Sequence, residues 1–249
     1  MSYNVFLGIP LYSPFAFSDG AHESAFTACL PGGFVGAAPV VRTHQSSLLP
    51  QAFNQLWADA VTNEDYGVFA MLHGDVMAIP GWLDILVEAM VLRDADVVSA
   101  AVRIKDNSLD YSTGIDTDRL DKWSVRRLNA ADLDHLPKVY SRANVVRTLN
   151  LDHAACGALL LNTGCWVANL AKARRKWARE VTFTFGESKI WWDMKRPLAR
   201  TEPEDWSFSR QLFNLGVQRV FGTTLVRNQH LGHMAYDSHF RPSPQGDTT

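Results

Sequence analysis

Three clusters of residues in this chain have the types and spacing to do chemistry. The first is His73-Gly74-Asp75. An imidazole and a carboxylate at alternate positions could face one divalent ion, which needs a hard oxygen ligand and open coordination positions if it is also to bridge two phosphates. A strand-end Asp that caps the next turn, beside a packed His, explains the same three residues equally well. The second cluster is Glu204-Asp205 in TEPEDWSFSRQLFNLG. Two carboxylates at a helix start are favoured by capping and by the helix dipole. One of them is then available to accept a proton from a hydroxyl while the other orients it. Arg210 is placed to pair with these acids or with phosphate. The third is His230-x-Gly232-His233, with His239 close behind. Imidazole suits Mn²⁺ and Zn²⁺, and a solvated terminal segment is the plain alternative.

These groups matter only if the chain's elements bring them together. Val68 to Leu72 is a short apolar run that stops at His73-Gly74-Asp75, with Pro80-Gly81 and an amphipathic stretch from Trp82 behind it. That pattern predicts a buried strand delivering His73 and Asp75 to its carboxyl end, where open α/β sheets bind ligands. Asn4 to Ile9 and Ala95 to Ile104 read as further buried strands, and Pro39 to Thr43 as another. Helices are predicted over Ala21 to Leu30, over the stretch containing Leu49, Phe53, Leu56, Trp57 and Ala60, and over Trp82 to Leu92. The resulting β-α-β-α-β-α-β order predicts an α/β fold, a mostly parallel central sheet with helices on both faces. No GxGxxG follows the first strand and no GxxxxGK[ST] occurs, so a glycine cradle for phosphate is absent.

From Lys105 to about Asn150 the chain turns polar and aperiodic, predicting a long, partly mobile excursion with a hairpin or short helix. Val145 to Leu149 is expected to return to the sheet. Ala155 to Leu161 reads as a buried run, and a helix is expected over Trp166 to Glu180. Val181 to Pro197 is irregular and carries Trp191 and Trp192, which either stack on a sugar or fill core. A helix follows over Trp206 to Leu215, then a strand or hairpin in VQRVFGTTLV. The tail, 241–249, is expected to be disordered.

The chain has 249 residues, 47% hydrophobic and 20% charged, enough for one sizeable core. Its net charge of −2 gives no general field for nucleic acid or an anionic membrane. The basic run AKARRKWAR spreads over several helix faces. Three cysteines with no Cys-x-x-Cys signal neither disulfides nor a zinc knuckle. No apolar stretch is long enough to span a bilayer and the N-terminus does not read as a signal peptide, so a soluble cytoplasmic protein is expected.

Singly the clusters are weak, but their order along the chain resembles the GT-A fold glycosyltransferases, family-2-like, from Val5 to about Tyr236. The resemblance implies a single domain over 1–240, with 1–105 binding the nucleotide sugar and 106–240 the acceptor. It implies Mn²⁺ or Mg²⁺ at the DxD-like His73-Gly74-Asp75, with Asp75 the retained ligand, His73 replacing the first Asp and His230 as the late metal ligand. Pro203-Glu204-Asp205 matches the xED motif, which makes Asp205 the catalytic base and Glu204 its partner. Pro10 and Asn54 are expected near the nucleotide. Gly157, in the ACGALLLN turn, is expected on the acceptor side with Trp191 and Trp192. The donor would be a UDP- or GDP-sugar and the acceptor a hydroxyl, saccharide in type, with inversion at the sugar. A nucleotidyltransferase making a nucleotide sugar is the alternative, although IPLYSPFAF lacks the Gly- and Arg-rich loop such enzymes carry. A non-catalytic nucleotide- or sugar-binding relative is the third reading, motivated by His73.

Overall fold

Strand periodicity and helix spacing divide the core into two layers. In the computed structural model, which describes residues 3–12, 19–29, 33, 35, 38–105, 110–193, 196–231 and 235–237, the first half runs β1 (Val5–Leu11), α1 (Asp19–Phe26), β2 (Val40–Gln45), α2 (Leu49–Thr62), β3 (Val68–Leu72), β4 (Val76–Ala78), α3 (Trp82–Leu92) and β5 (Val97–Ala100). The second half runs β6 (Asp110–Asp116), β7 (Val125–Asn129), α4 (Ala130–His135), β8 (Val139–Ser141), α5 (Arg142–Thr148), β9 (Leu159–Leu160), β10 (Cys165–Asn169), α6 (Leu170–Lys176), β11 (Ser188–Asp193), β12 (Arg196–Thr201), α7 (Glu204–Asn214), β13 (Val220–Thr223), β14 (Asn228–Leu231) and β15 (Ala235–Asp237). Gly232, His233, His239 and the 241–249 tail lie outside the described residues.

A seven-stranded sheet in the order β2-β1-β3-β10-β5-β13-β8 forms the centre. Alternation along β3 sends Val68, Ala70 and Leu72 to one face and Phe69 and Met71 to the other. The first face is covered by α3 through Trp82, Leu83, Leu86, Val87 and Met90. The second is covered by α2 and α7 around an aromatic cluster. There Trp57 stacks on Trp177 at 5.3 Å and Phe183 on Phe208 at 4.7 Å. Helices on both faces are thus as expected.

The strand directions are more mixed than the expectation. β1 pairs in parallel with β2 and β3, and β5 with β13, but β10 runs antiparallel between β3 and β5, and β8 antiparallel to β13. The expected helix over Trp166 to Glu180 is corrected accordingly. Cys165–Asn169 is a central strand, and the helix begins only at Leu170, where the Asn169 side chain accepts from Lys172 N at 3.1 Å. Val145 to Leu149 does not return to the sheet. Ser141 and Asn144 form a capping box that starts α5 there instead. Only Leu159–Leu160 of the Ala155–Leu161 run is strand, and it joins β6 and β7 in a separate sheet.

Within the second half, α7 is tied to the end of β6 by ions. Arg210 donates from Nε to Asp116 Oδ2 at 3.0 Å, from Nη1 to Glu202 Oε1 at 2.6 Å and from Nη2 to Lys122 O at 2.7 Å. Its side chain is 14% exposed, and those of Asp116 and Glu202 are 5% and 8% exposed. Arg210 therefore does not pair with Glu204 or Asp205. Removing one partner of a buried ion pair leaves uncompensated charge. Arg210→Ala, followed by urea unfolding, is expected to lose about 3–5 kcal/mol. A loss under about 1 kcal/mol, the value of an exposed pair, would contradict this role.

Candidate active site

β1, β3 and β5 point the same way, so their carboxyl ends share one edge of the sheet. β2 and β3 lie on opposite sides of β1, which makes the β1–β3 boundary a topological switch point. Pro10 lies one residue before the end of β1 there, buried and paired with His44. His73 and Asp75 follow β3. Lys105 lies beyond β5, on a segment joined to β6 by Ile104 N to Asp110 O at 3.3 Å and Ser112 N to Val102 O at 2.8 Å.

His230 arrives by strand pairing. β14 runs antiparallel to β4 with His230 opposite Val76, and Leu231 N donates to Asp75 O at 2.7 Å. A slip of one residue would turn His230 to the other face. In this register His230 Nε2 stands 3.6 Å from Asp75 Oδ2. The other ring nitrogen, Nδ1, lies 2.9 Å from Arg103 O. A carbonyl only accepts, so Nδ1 carries the proton. In the neutral ring the Nε2 lone pair then faces the carboxylate. A carbonyl behind the far nitrogen is also how metal-ligating histidines are commonly oriented.

A lone pair turned toward a carboxylate calls for positive charge, whether a proton on Nε2 or a cation between the two. Here the Lys105 ammonium contacts Asp75 Oδ2. Burial alone would raise the Asp75 carboxyl, but His230, His73 and Lys105 outweigh it and hold it well below the usual carboxylate range. Asp75 stays open to solvent, with 41% of its side chain exposed.

A divalent cation fits this pair. Two ligands at about 2.1 Å from one ion stand at most about 4.2 Å apart, and 3.6 Å lies within that reach. His73 does not complete the set. No group of three or more His, Cys, Asp and Glu side chains able to hold an ion occurs among the described residues. The His73 ring packs on Phe53 with centroids 5.0 Å apart. Its Nε2 is sealed from solvent with no hydrogen-bond partner, and burial pushes the ring down to about 4. Protein would thus supply only Asp75 and His230 to such an ion, leaving its other coordination positions open.

The acidic pair starts α7. Asp205 is 8% exposed and its Oδ1 accepts from Trp206 N at 2.8 Å. Glu204 is half-buried. Burial raises Glu204. Burial, and next the Glu204 charge, push Asp205 well above the usual range. Trp206 Nε1 points at Ser112 O at 3.5 Å. Ser112 in turn bonds Val102, on the same segment as Arg103 and Lys105. One short ladder of backbone therefore links the acidic pair to the Asp75–His230 pair.

Two expected contacts are engaged elsewhere. Asn54 donates from Nδ2 to Phe183 O at 2.7 Å and accepts from Phe183 N at 2.8 Å. Both ends of its amide are used to tie the Val181–Phe183 segment to α2, which corrects its reading as a nucleotide contact. Gly157 packs beside Asp116, where an added Cβ would meet Asp116 Cβ at 2.9 Å, and its carbonyl accepts from Arg142 Nε at 2.6 Å. It lines a cavity with Arg119, Glu202 and Arg210. Trp191 and Trp192 lie on β11, paired with Leu198 and Pro197, and their side chains are outside the described residues. The sequence reading missed Lys105, on Asp75, and Arg127, whose charge acts on Asp205. Lys105 had a signal, a lone cation just past a predicted strand's carboxyl end.

The chain matches no protein-family model and no curated protein. It is similar to the solved structure of A197 from STIV at 11% identity and a TM-score of 0.50, over 96% of this chain and 92% of that one. It also aligns with S. aureus TarS 1-349 in complex with UDP-GlcNAc, at 9% identity and a TM-score of 0.46, over 97% of this chain and 60% of that one. The likeness to A197 is one of fold, over nearly the whole of both chains. No helix among the described residues is long and apolar enough to cross a membrane.

The raised Asp205 has a thermodynamic signature. A carboxyl held more tightly to its proton in the fold stabilises fully below its unfolded value and loses that stability as pH climbs through the folded one. Asp205→Asn escapes the loss. Its melting temperature is expected to gain on the parent's as pH rises from about 4 through neutrality, by roughly 2–4 °C per kcal/mol. A pH-independent offset between the two would contradict a buried, raised carboxyl.

Proposed function

We propose that the chain is a metal-dependent glycosyltransferase, moving a sugar from a nucleoside diphosphate donor to a hydroxyl acceptor with inversion. The observation that carries this reading is the Asp75–His230 pair, 3.6 Å apart beside a topological switch point and backed by Arg103 O. Asp75 and His230 would hold Mn²⁺ or Mg²⁺, which when bound neutralises the leaving diphosphate as a Lewis acid. Pro10 and the His73 Nε2 are buried behind the Asp75–His230 pair, at the carboxyl ends of β1 and β3. Asp205 takes the proton of the acceptor hydroxyl as its oxygen forms a bond to the anomeric carbon and the bond to the diphosphate breaks. A base whose proton affinity is raised by burial is the stronger base once ionised. Glu204 holds the hydroxyl in line.

Calorimetric titration of UDP and GDP with and without Mn²⁺, and release of sugar from UDP- and GDP-sugars, test the reading. Nucleotide binding is expected to depend on Mn²⁺, and Asp75→Ala or His230→Ala to weaken it by at least about tenfold. Asp205→Asn is expected to keep nucleotide binding and lose about 10²–10⁴-fold in transfer. Metal-independent binding, unchanged in Asp75→Ala, would refute the donor site. Binding without any sugar release would favour a non-catalytic relative.

Lys105 already neutralises the oxygen that the ion would use. Lys105→Ala is therefore expected to tighten Mn²⁺ binding several-fold, because two cations at one carboxylate repel. Electron paramagnetic resonance of free Mn²⁺ measures this without turnover. Unchanged or weaker Mn²⁺ binding would show that Lys105 does not compete.

A further inference from the structure

A cavity of about 590 Å³ opens beside the acidic pair and takes no part in the donor site. Its walls include Lys122, Trp123, Arg127, Arg200 and Trp206, with Asp110 the one acid among its lining residues. Lys122 is partly spoken for, by Glu187 at 2.7 Å and Glu202 at 3.8 Å. Arg127 is different. Among the described residues no carboxylate lies within ion-pair distance of it, the acid its charge acts on being the buried Asp205, and its guanidinium lies over the Trp206 ring, Cζ 4.8 Å from the centroid. A guanidinium parked on an aromatic face is weakly hydrated and keeps its donor fork free. Such a fork matches phosphate or carboxylate with two parallel hydrogen bonds. Indole faces match the apolar faces of a sugar ring. The chain as a whole is slightly acidic, so this basic lining is local and does not continue a charged track.

We propose that this cavity seats the acceptor, and that the acceptor is an anionic saccharide, its phosphate or carboxylate on Arg127 and its ring against Trp206. Pro203 and Trp206, on either side of the acidic pair in the chain, both line this cavity, and the charge of Arg127, a wall of the same cavity, acts on Asp205. Calling this ligand the acceptor rests on the glycosyltransferase reading; anion recognition by the cavity does not.

Glucose 6-phosphate, glucuronate and glucose are the probes, added to the full chain and read by ¹⁵N shifts of the Trp indole signals, with Trp206→Phe and Trp123→Phe for assignment. Both anionic sugars are expected to shift the Trp206 signal and bind at least tenfold tighter than glucose, with a preference that falls as salt rises. Their relative affinities distinguish phosphate from carboxylate. Arg127→Gln is expected to abolish the preference, and Arg127→Lys, which keeps the charge and loses the fork, to restore part of it. Mn²⁺-dependent UDP binding should be unchanged in both variants, which also shows that they fold. Equal binding of glucose and its anionic forms, a preference that survives in Arg127→Gln, or no shift with any probe up to about 50 mM would overturn the proposal. Anionic sugars binding to a chain that never binds UDP would uphold the cavity and sink the glycosyltransferase reading.

Discussion

The site depends on one strand pairing. Asp75 sits in the turn between β3 and β4, which the local sequence announces, but His230 lies far along the chain and reaches Asp75 only because β14 pairs with β4 in a single register. The register sets which face His230 presents, and the Arg103 carbonyl sets which nitrogen it presents. Neither contact stabilises the fold by much, at about 1 kcal/mol for a net hydrogen bond. Their effect is to aim two lone pairs at one point in space. That arrangement is electrostatically poor unless positive charge stands there, a proton on Nε2 or a cation, and Lys105 is the cation that the chain itself provides.

Around that point the electrostatics are divided by depth. Asp75 is partly exposed and held ionised by surrounding bases. Asp205 is buried and held toward its protonated form by desolvation and by Glu204. Two carboxyls pushed in opposite directions are suited to different tasks, the ionised one to holding a cation and the one with raised proton affinity to exchanging a proton. The buried Arg210–Asp116–Glu202 network does a third job with the same groups. It anchors α7, and so the acidic pair, to the end of β6.

How far the sequence could be read follows from which interactions are local. β3 and α3 were legible to the residue, because an apolar run, a Gly-Asp break and a Pro-Gly turn all sit in one short stretch. β10 was misread because Trp-Val-Ala-Asn runs straight into the helix-forming Leu-Ala-Lys-Ala, and only the sheet on both sides makes it a strand. Its antiparallel direction has no signature in periodicity at all. The Ser141–Asn144 capping box was visible and overlooked, and α5 was missed with it. At the site, Asp75 and His230 were legible as metal-type side chains and again in motif order, while their proximity is a tertiary fact. Lys105 and Arg127 depend on the pairing of the 102–105 segment and of β7 with β6, which no local pattern announces.

The most direct measurement is a crystal structure with Mn²⁺ and UDP, using the anomalous signal of manganese. A single peak is expected within about 2.3 Å of both an Asp75 carboxylate oxygen and His230 Nε2, with Lys105 displaced from Asp75 and diphosphate oxygens completing the shell. A peak elsewhere, or none while Lys105 stays on Asp75 in the presence of UDP, would contradict the account.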